Sequence, residues 1–311
     1  MAFNLADFPE AFDTSFRLSG LSAWVLHLPV APILMKLLRP RTFVELGTHA
    51  GDSYLAFCQA ASLQATGTQC TAIDTWQGDA HTGAYGPEIL QSLRLAHDPQ
   101  YGRFSRLVQS TFDAAAASFA DGGIDLLHID GAHTYEAVRH DYETWRPKLS
   151  SRGVILFHDT CERTADFGVW KVWEEVSAGR PGANLPHGHG LGILAVGPEQ
   201  PADFLEFLRE LHARPGLARI LEALGGRAQL LQNFSLAAQH LHQCQDLMNQ
   251  WRQRTGQPIL TPTPNMDLAV TQPGLLGAGV VRDVHQLAVD ALNLVAEVMA
   301  LRQKVQAPKA P

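Results

Sequence analysis

Between residues 41 and 200 the chain alternates short apolar runs with stretches of helical period, and that alternation limits the folds open to it. The runs cover residues 42–46, 71–73, 106–108, 124–129, 154–157 and 191–196. They are apolar almost throughout, as strands covered on both faces of a parallel sheet must be. Helical patterns fill 53–61, 112–119, 135–145 and 169–176. In the third, Tyr135, Val138, Tyr142 and Trp145 recur at helical spacing and mark a buried face. Strand–helix alternation of this kind predicts a doubly wound α/β domain with a mostly parallel sheet.

The flanks read differently. Residues 1–40 suggest an N-terminal helical cap ending at Arg39-Pro40, and 41–200 the α/β domain. After Gly197-Pro198 only helical patterns remain, so 201–311 is expected to be a helical extension. Its candidates are 202–224 and 226–252, then a Pro/Thr/Gly-rich loop at about 255–279 and a last helix over 280–305. Val284, Leu287, Ala291, Leu294, Val298 and Leu301 form one stripe there, suited to the body of the protein or to a partner chain. A hydrophobic content of 46% supplies a core and excludes a disordered chain. A net charge of −7 leaves no basic footprint for nucleic acid. Four cysteines without paired spacing fit a reducing compartment and neither a disulfide framework nor a zinc site. The start lacks a signal-peptide pattern. The apolar stretch 23–38 is broken by His27, Pro29, Pro32 and Lys36 and falls short of the ~20 residues of a membrane span. A soluble, cytoplasmic protein is expected.

The first strand runs into Glu45-Leu-Gly47-Thr48-His-Ala-Gly51-Asp-Ser53, a glycine turn that opens a helix. Glycine there lets the backbone approach a ligand closely. A nicotinamide dinucleotide site favours Gly-x-Gly-x-x-Gly, which is absent. The acid at the strand end, Glu45, instead suits a ligand with an ammonium group, and points to S-adenosylmethionine, a zwitterion bearing a sulfonium. Asp74 ends the second strand, where a carboxylate can take both ribose hydroxyls. Ser110 and Phe112, after the third, can flank an adenine ring. Glu45, Gly47, Thr48, Gly51, Ser53, Asp74, Ser110, Phe112 and Asp130 form the expected cofactor set.

The fourth run leads into Asp130-Gly-Ala-His133 and the fifth into His158-Asp159. In open α/β sheets ligands bind at the carboxyl ends of the strands. If these two strands are neighbours their tips lie about 4.8 Å apart. Asp130 and Asp159 could then share a cation, with His158 shifting preference from Mg²⁺ toward Mn²⁺. Such a cation can hold a substrate hydroxyl and lower its pKa. His133 is the candidate base, and with Asp130 and Asp159 completes the expected catalytic set. His128, mid-strand, reads as a core histidine. His187 and His189 are either pocket or plain loop residues, and Asp79, His81 and Tyr85 either a substrate lid or plain loop.

Four stretches carry a resemblance: Leu37-Leu-Arg-Pro-Arg-Thr-Phe-Val-Glu-Leu-Gly-Thr, Asp74-Thr-Trp-Gln-Gly-Asp-Ala-His, His128-Ile-Asp-Gly-Ala-His-Thr-Tyr and Phe157-His-Asp-Thr. Over roughly residues 20–197 the sequence resembles the class I S-adenosylmethionine-dependent methyltransferases, in particular the bacterial subgroup found beside or fused to glycosyltransferases. The resemblance implies a seven-stranded sheet with a reversed last strand, a closing hairpin turned at 184–190, and a cofactor held by Glu45, Gly47, Gly51 and Asp74. It also implies Mg²⁺ on acids after strands four and five, as in catechol-type and macrolide-type enzymes. Asp130 and Asp159 match those positions, and His158 stands where a carboxylate is usual. His133 falls where the catechol-type enzymes carry a catalytic lysine.

The expected activity is therefore O-methyl transfer to a hydroxyl of a sugar, glycan or related small molecule. A second copy or a glycosyltransferase is a candidate partner for the C-terminal helices. The rival readings are a metal-independent methyltransferase, a nicotinamide-dependent oxidoreductase and a non-catalytic assembly module.

Overall fold

The computed structural model describes residues 3–13, 17–20, 22–79, 81–164 and 166–256. The chain divides into two compact units, Met1–Ala228 and Gln229–Pro311. The first contains a seven-stranded sheet. Its strands are β1 (Thr42–Leu46), β2 (Gln69–Asp74), β3 (Ser105–Gln109), β4 (Ile124–Ile129), β5 (Leu149–His158), β6 (Gly182–Leu185) and β7 (Leu191–Ala195). Their order is β3-β2-β1-β4-β5-β7-β6. All pairings are parallel except those of β7, which runs antiparallel to both β5 and β6. The reversed last strand and its hairpin agree with the expectation from the sequence.

The strands read as continuous apolar runs because the pleat sends alternate residues into two separate cores. Phe43, Leu126, Val154 and Leu156 face one core, and Val44, Leu127, Ile155 and Phe157 the other. The first core is closed by α1 (Val30–Leu38), α2 (Asp52–Leu63), α3 (Glu88–Tyr101) and α7 (Ala202–Ala213), through Ile33, Phe57, Leu93 and Phe207 among others. The second is closed by α4 (Phe112–Ala116), α5 (Tyr135–Trp145) and α6 (Val169–Ser177), through Ala115, Tyr142, Trp145 and Val172. A Rossmann-like, doubly wound sheet results.

Three elements depart from the sequence reading. Helix α3 occupies a stretch that carried no assignment, since only Leu90, Leu93 and His97 of its fourteen residues are buried. Strand β5 begins at Leu149, five residues before its apolar run. The C-terminal helices divide at Arg214 and not at the glycine pair, giving α7 and then α8 (Pro215–Thr255). Arg214 leaves the helical region (φ −126°, ψ 83°), as a residue preceding proline tends to. Gly225 stays helical because the Leu26 backbone packs against its Cα, where a Cβ would collide. The predicted helix at 280–305 and nearly all of the loop at 255–279 lie outside the described residues. Among those described, no helix is long and apolar enough to cross a membrane.

Candidate active site

Strand order reverses between β1 and β4, and an open sheet binds ligands beyond the carboxyl ends of its strands at such a point. Here the tips of β1 and β4 are tied by Asp130 N–H donating to Leu46 O at 2.9 Å. Gly47 follows at φ +84°, and a Cβ there would overlap the Asp130 carbonyl. Only glycine satisfies both demands. Gly51, also at φ +84°, donates its N–H to Thr48 O at 2.8 Å and opens α2. The turn is held from β2: Asp74 accepts the N–H groups of Thr48, His49 and Trp76 at 2.8, 2.8 and 2.7 Å.

An N-terminal segment crosses this turn. Arg17 donates to Ala50 O at 2.7 Å, Ser19 N–H donates to Asp52 at 2.6 Å, and Ser22 reaches the cavity wall. No sequence motif announced these contacts.

Beneath the turn, Glu45 and His128 are fully buried and paired, with Nδ1 to Oε2 at 2.8 Å. They are register partners on adjacent strands, which sets the side chains abreast. Burial raises the Glu45 pKa, opposed by the hydrogen bonds from His128 and Ser53.

At the tips of β4 and β5 the acids and histidines converge. His133 Nε2 lies 3.0 Å from Asp159 Oδ2 and 3.9 Å from Asp130 Oδ1. Burial would lower the His133 pKa, but hydrogen bonds and charge from Asp130 and Asp159 raise it to about 10. Its ring stacks on Phe167 at 4.8 Å, and His81 meets both edge-on. His158 presents Nδ1 to Asp130 at 3.2 Å and Asp159 at 3.4 Å, and Nε2 to Gly188 O at 3.0 Å. A carbonyl accepts only, so Nε2 carries a proton, and the carboxylates call for one on Nδ1 as well. Burial opposes that charge, yet the two acids hold the His158 pKa well above its usual value. Burial likewise works against ionised acids, and the histidines overcome it. Asp159 falls to about 2 and Asp130 lies well below the carboxylate range. Asp159 itself sits at φ +62°, a conformation costly outside glycine and common at functional sites.

These groups share one cavity of about 590 Å³. Its volume falls in the range of small-molecule sites. The glycine turn and Asp74 line one part, with Thr111 and Phe112. Asp130, His133, His158 and Asp159 line another. His81, Tyr85, Glu162, Phe167 and His189 complete the wall.

Residues 44–160 match the family described as a methyltransferase domain. An uncharacterised protein of Sinorhizobium fredii, y4gI, is 52% identical over 178 residues, or 57% of this chain. The chain spans 20% of that relative's length. Among solved structures, the SAH-bound methyltransferase PaMTH1 of Podospora anserina is similar at 16% identity and TM-score 0.44, over 63% of this chain and 89% of that one. A methyltransferase of Geobacter sulfurreducens is similar at 19% identity and TM-score 0.41, over 55% and 77%.

Of the cofactor set expected from the sequence, Gly47, Thr48, Gly51, Ser53, Asp74, Phe112 and Asp130 line the cavity. Glu45 does not. It lies below the wall, bound to His128, because a buried carboxylate needs a partner and the register supplies one. Ser110 is also outside: its N–H donates to Asp74 O and its hydroxyl to Thr111 O, and Thr111 lines the wall in its place. Of the expected metal set, Asp130 and Asp159 converge with His133, their ligand atoms all within 4.8 Å of one another, while His158 has Nδ1 on Asp130 and Nε2 on the Gly188 carbonyl. His81, Tyr85 and His189 line the cavity, while the side chain of Asp79 lies outside the described set.

Proposed function

We propose that this chain is an S-adenosylmethionine-dependent O-methyltransferase acting on a hydroxyl of a sugar, glycan or related small molecule. One observation carries the reading. The glycine turn after β1, the acid ending β2 and the Asp130–His133–Asp159 cluster open into a single cavity at the β1/β4 switch point. The match of residues 44–160 to a methyltransferase domain supports methyl transfer over the nicotinamide alternative.

S-adenosylmethionine supplies an electrophilic methyl on a sulfonium. The backbone of the turn and Asp74 would hold its amino acid and ribose ends, with Thr111 and Phe112 beside its base. The acidic wall favours the sulfonium over a neutral thioether. Proximity and alignment of the acceptor oxygen then matter more than an oxyanion hole, because charge is neutralised as the methyl moves.

Asp130, His133 and Asp159 fit a divalent cation: two carboxylates and an imidazole suit Mn²⁺ or a similar ion better than Mg²⁺. Held there, such a cation would supply a Lewis acid beside the acceptor hydroxyl. The protonation of His133 supports a second, metal-independent reading. At about 10, its pKa leaves an imidazolium between the two acids at neutral pH, so the ring orients the acceptor and is no base in that state.

Calorimetric titration with S-adenosylhomocysteine tests the main reading, and its repetition with Mn²⁺ or after chelation separates the two versions. No binding of the nucleoside in either condition would remove both.

A further inference from the structure

The acids of the cavity lining are carboxylates set beside the rings of His49, His81, His133, His158 and His189. Asp52, Asp74, Asp130, Asp159 and Glu162 reach it, and no lysine or arginine among the described residues does. Two arginines neighbour the wall in sequence, and both direct their donors to groups of the protein, Arg17 to the wall residue Ala50 itself. Arg17 donates to Ala50 O at 2.7 Å and to Ser92 Oγ at 3.3 Å. Arg163 lies 3.9 Å over the Trp170 ring and donates to Glu174 at 3.3 Å. The rings of His133 and His158 each lie between Asp130 and Asp159. A divalent cation there would answer the same two acids and leave Asp52, Asp74 and Glu162 as they are.

Glu162 is the carboxylate on the β5–α6 side of the cavity. Its Oε1 accepts the N–H groups of Arg163 and Thr164, each at 2.9 Å, and the Thr164 hydroxyl at 2.6 Å. Its Oε2 faces His189 Nδ1 at 2.8 Å. The Thr164 hydroxyl above all, with these other donors, keeps Glu162 ionised, at about 2. Near it stands the Phe167 ring, stacked on His133. This side of the cavity thus offers an aromatic wall and fixed acceptor oxygens, with no donor fork for a phosphate. In a cavity that carries five carboxylates and no lysine or arginine among the described residues, an anion of ~−2, such as a phosphate monoester, is disfavoured.

Resting on the activity proposed above, we infer that the site takes its acceptor as an uncharged or ammonium-bearing hydroxyl compound and excludes one carrying phosphate, pyrophosphate or carboxylate. A sugar acceptor then arrives free or already transferred to its aglycone, never as a nucleoside diphosphate sugar. The reaction that supplies it is a glycosyl transfer or a dephosphorylation.

Two measurements test this on the full chain. The first titrates the S-adenosylhomocysteine-loaded protein, in EDTA, with inorganic pyrophosphate and with UDP-glucose. Neither is expected to bind with a Kd below about 1 mM. Tighter binding of either, with nucleoside binding intact, would overturn the inference and spare the methyltransferase reading. Failure to load with S-adenosylhomocysteine would instead strike that reading. The second follows S-adenosylhomocysteine release across matched neutral, aminated and phosphorylated forms of hexosides and phenols. Turnover is expected only for uncharged or aminated members. A phosphorylated or nucleotide-linked member preferred over its uncharged parent overturns the inference.

Discussion

Asp74 Oδ2 accepts the backbone N–H of Thr48 at 2.8 Å, and the same oxygen takes that of His49, so the tip of β2 holds the turn that follows β1. The carboxylate expected to take the ribose hydroxyls is thus also part of the turn's internal bonding.

Asp74→Asn should therefore act on the empty protein as well as on the complex. The substituted amide cannot accept both N–H groups and offer oxygen to a ribose. Loss of one or two charge-assisted hydrogen bonds, at about 1.5–3 kcal/mol each, predicts a fall in S-adenosylhomocysteine affinity of ~10–100-fold or more. Calorimetry reads the affinity. Faster hydrogen exchange at Thr48 and His49 without ligand would show the turn loosening, and unchanged exchange would reduce Asp74 to a ribose ligand.

The Glu45–His128 pair should be a stability element. Glu45→Ala leaves a buried imidazole without its partner, a change that costs about 1–3 kcal/mol. Urea denaturation is expected to show that loss. Nucleoside affinity of the folded variant should fall less than in Asp74→Asn, because Glu45 lies below the cavity wall. The reverse order would return Glu45 to the cofactor set.

Removing a member of the cation set should separate binding from turnover. Asp159→Asn is expected to spare S-adenosylhomocysteine affinity and abolish methyl transfer. If a cation is used, the change also weakens Mn²⁺ by no less than the roughly 10–100-fold typical of lost outer-shell partners. Full activity of the wild type after chelation would select the imidazolium version of the site.

At the opposite end of the sheet, Asp125 gives an acid-sensitive contact. Burial works to raise its pKa, but Arg41, through Nε at 3.0 Å and its backbone N–H at 2.8 Å, and Ser150 lower it to about 2. A carboxyl depressed in the folded state contributes stability above its unfolded pKa, near 3.9, and loses it as pH falls from about 4 to 2. Arg41→Ala should flatten that part of the stability–pH curve while shifting little between pH 5 and 8. Denaturation midpoints across pH 2–6 would show an unaltered slope if the pair contributes nothing.

Much of this site was legible because strand ends announce themselves. The runs at 42–46 and 124–129 identified β1 and β4, and Gly47, Asp74, Asp130 and Asp159 all follow from their places at strand tips. Glu45 and His158 show what strand ends leave open: Glu45 lies outside the cavity lining, paired with His128, while His158 lines the cavity with both ring nitrogens engaged. A strand-end residue in sequence has two faces open to it, and only the fold supplies its partners. Helix α3 went unassigned because most of its surface is exposed and its buried residues are few.

The sequence by itself determined the alternation of strands and helices, the glycine turn and the acids that end β2, β4 and β5, since these depend on neighbours a few residues apart. Only the tertiary structure decided which histidine meets which acid: His128 with Glu45 by strand register, His158 with Asp130 and the Gly188 carbonyl, His133 with Asp159. It also decided that Arg17, Ser19 and Ser22 lie against the glycine turn and the cavity wall. Those partners are separated by tens of residues, and a side chain's charge state in a buried site depends on distance through space, which no local pattern encodes.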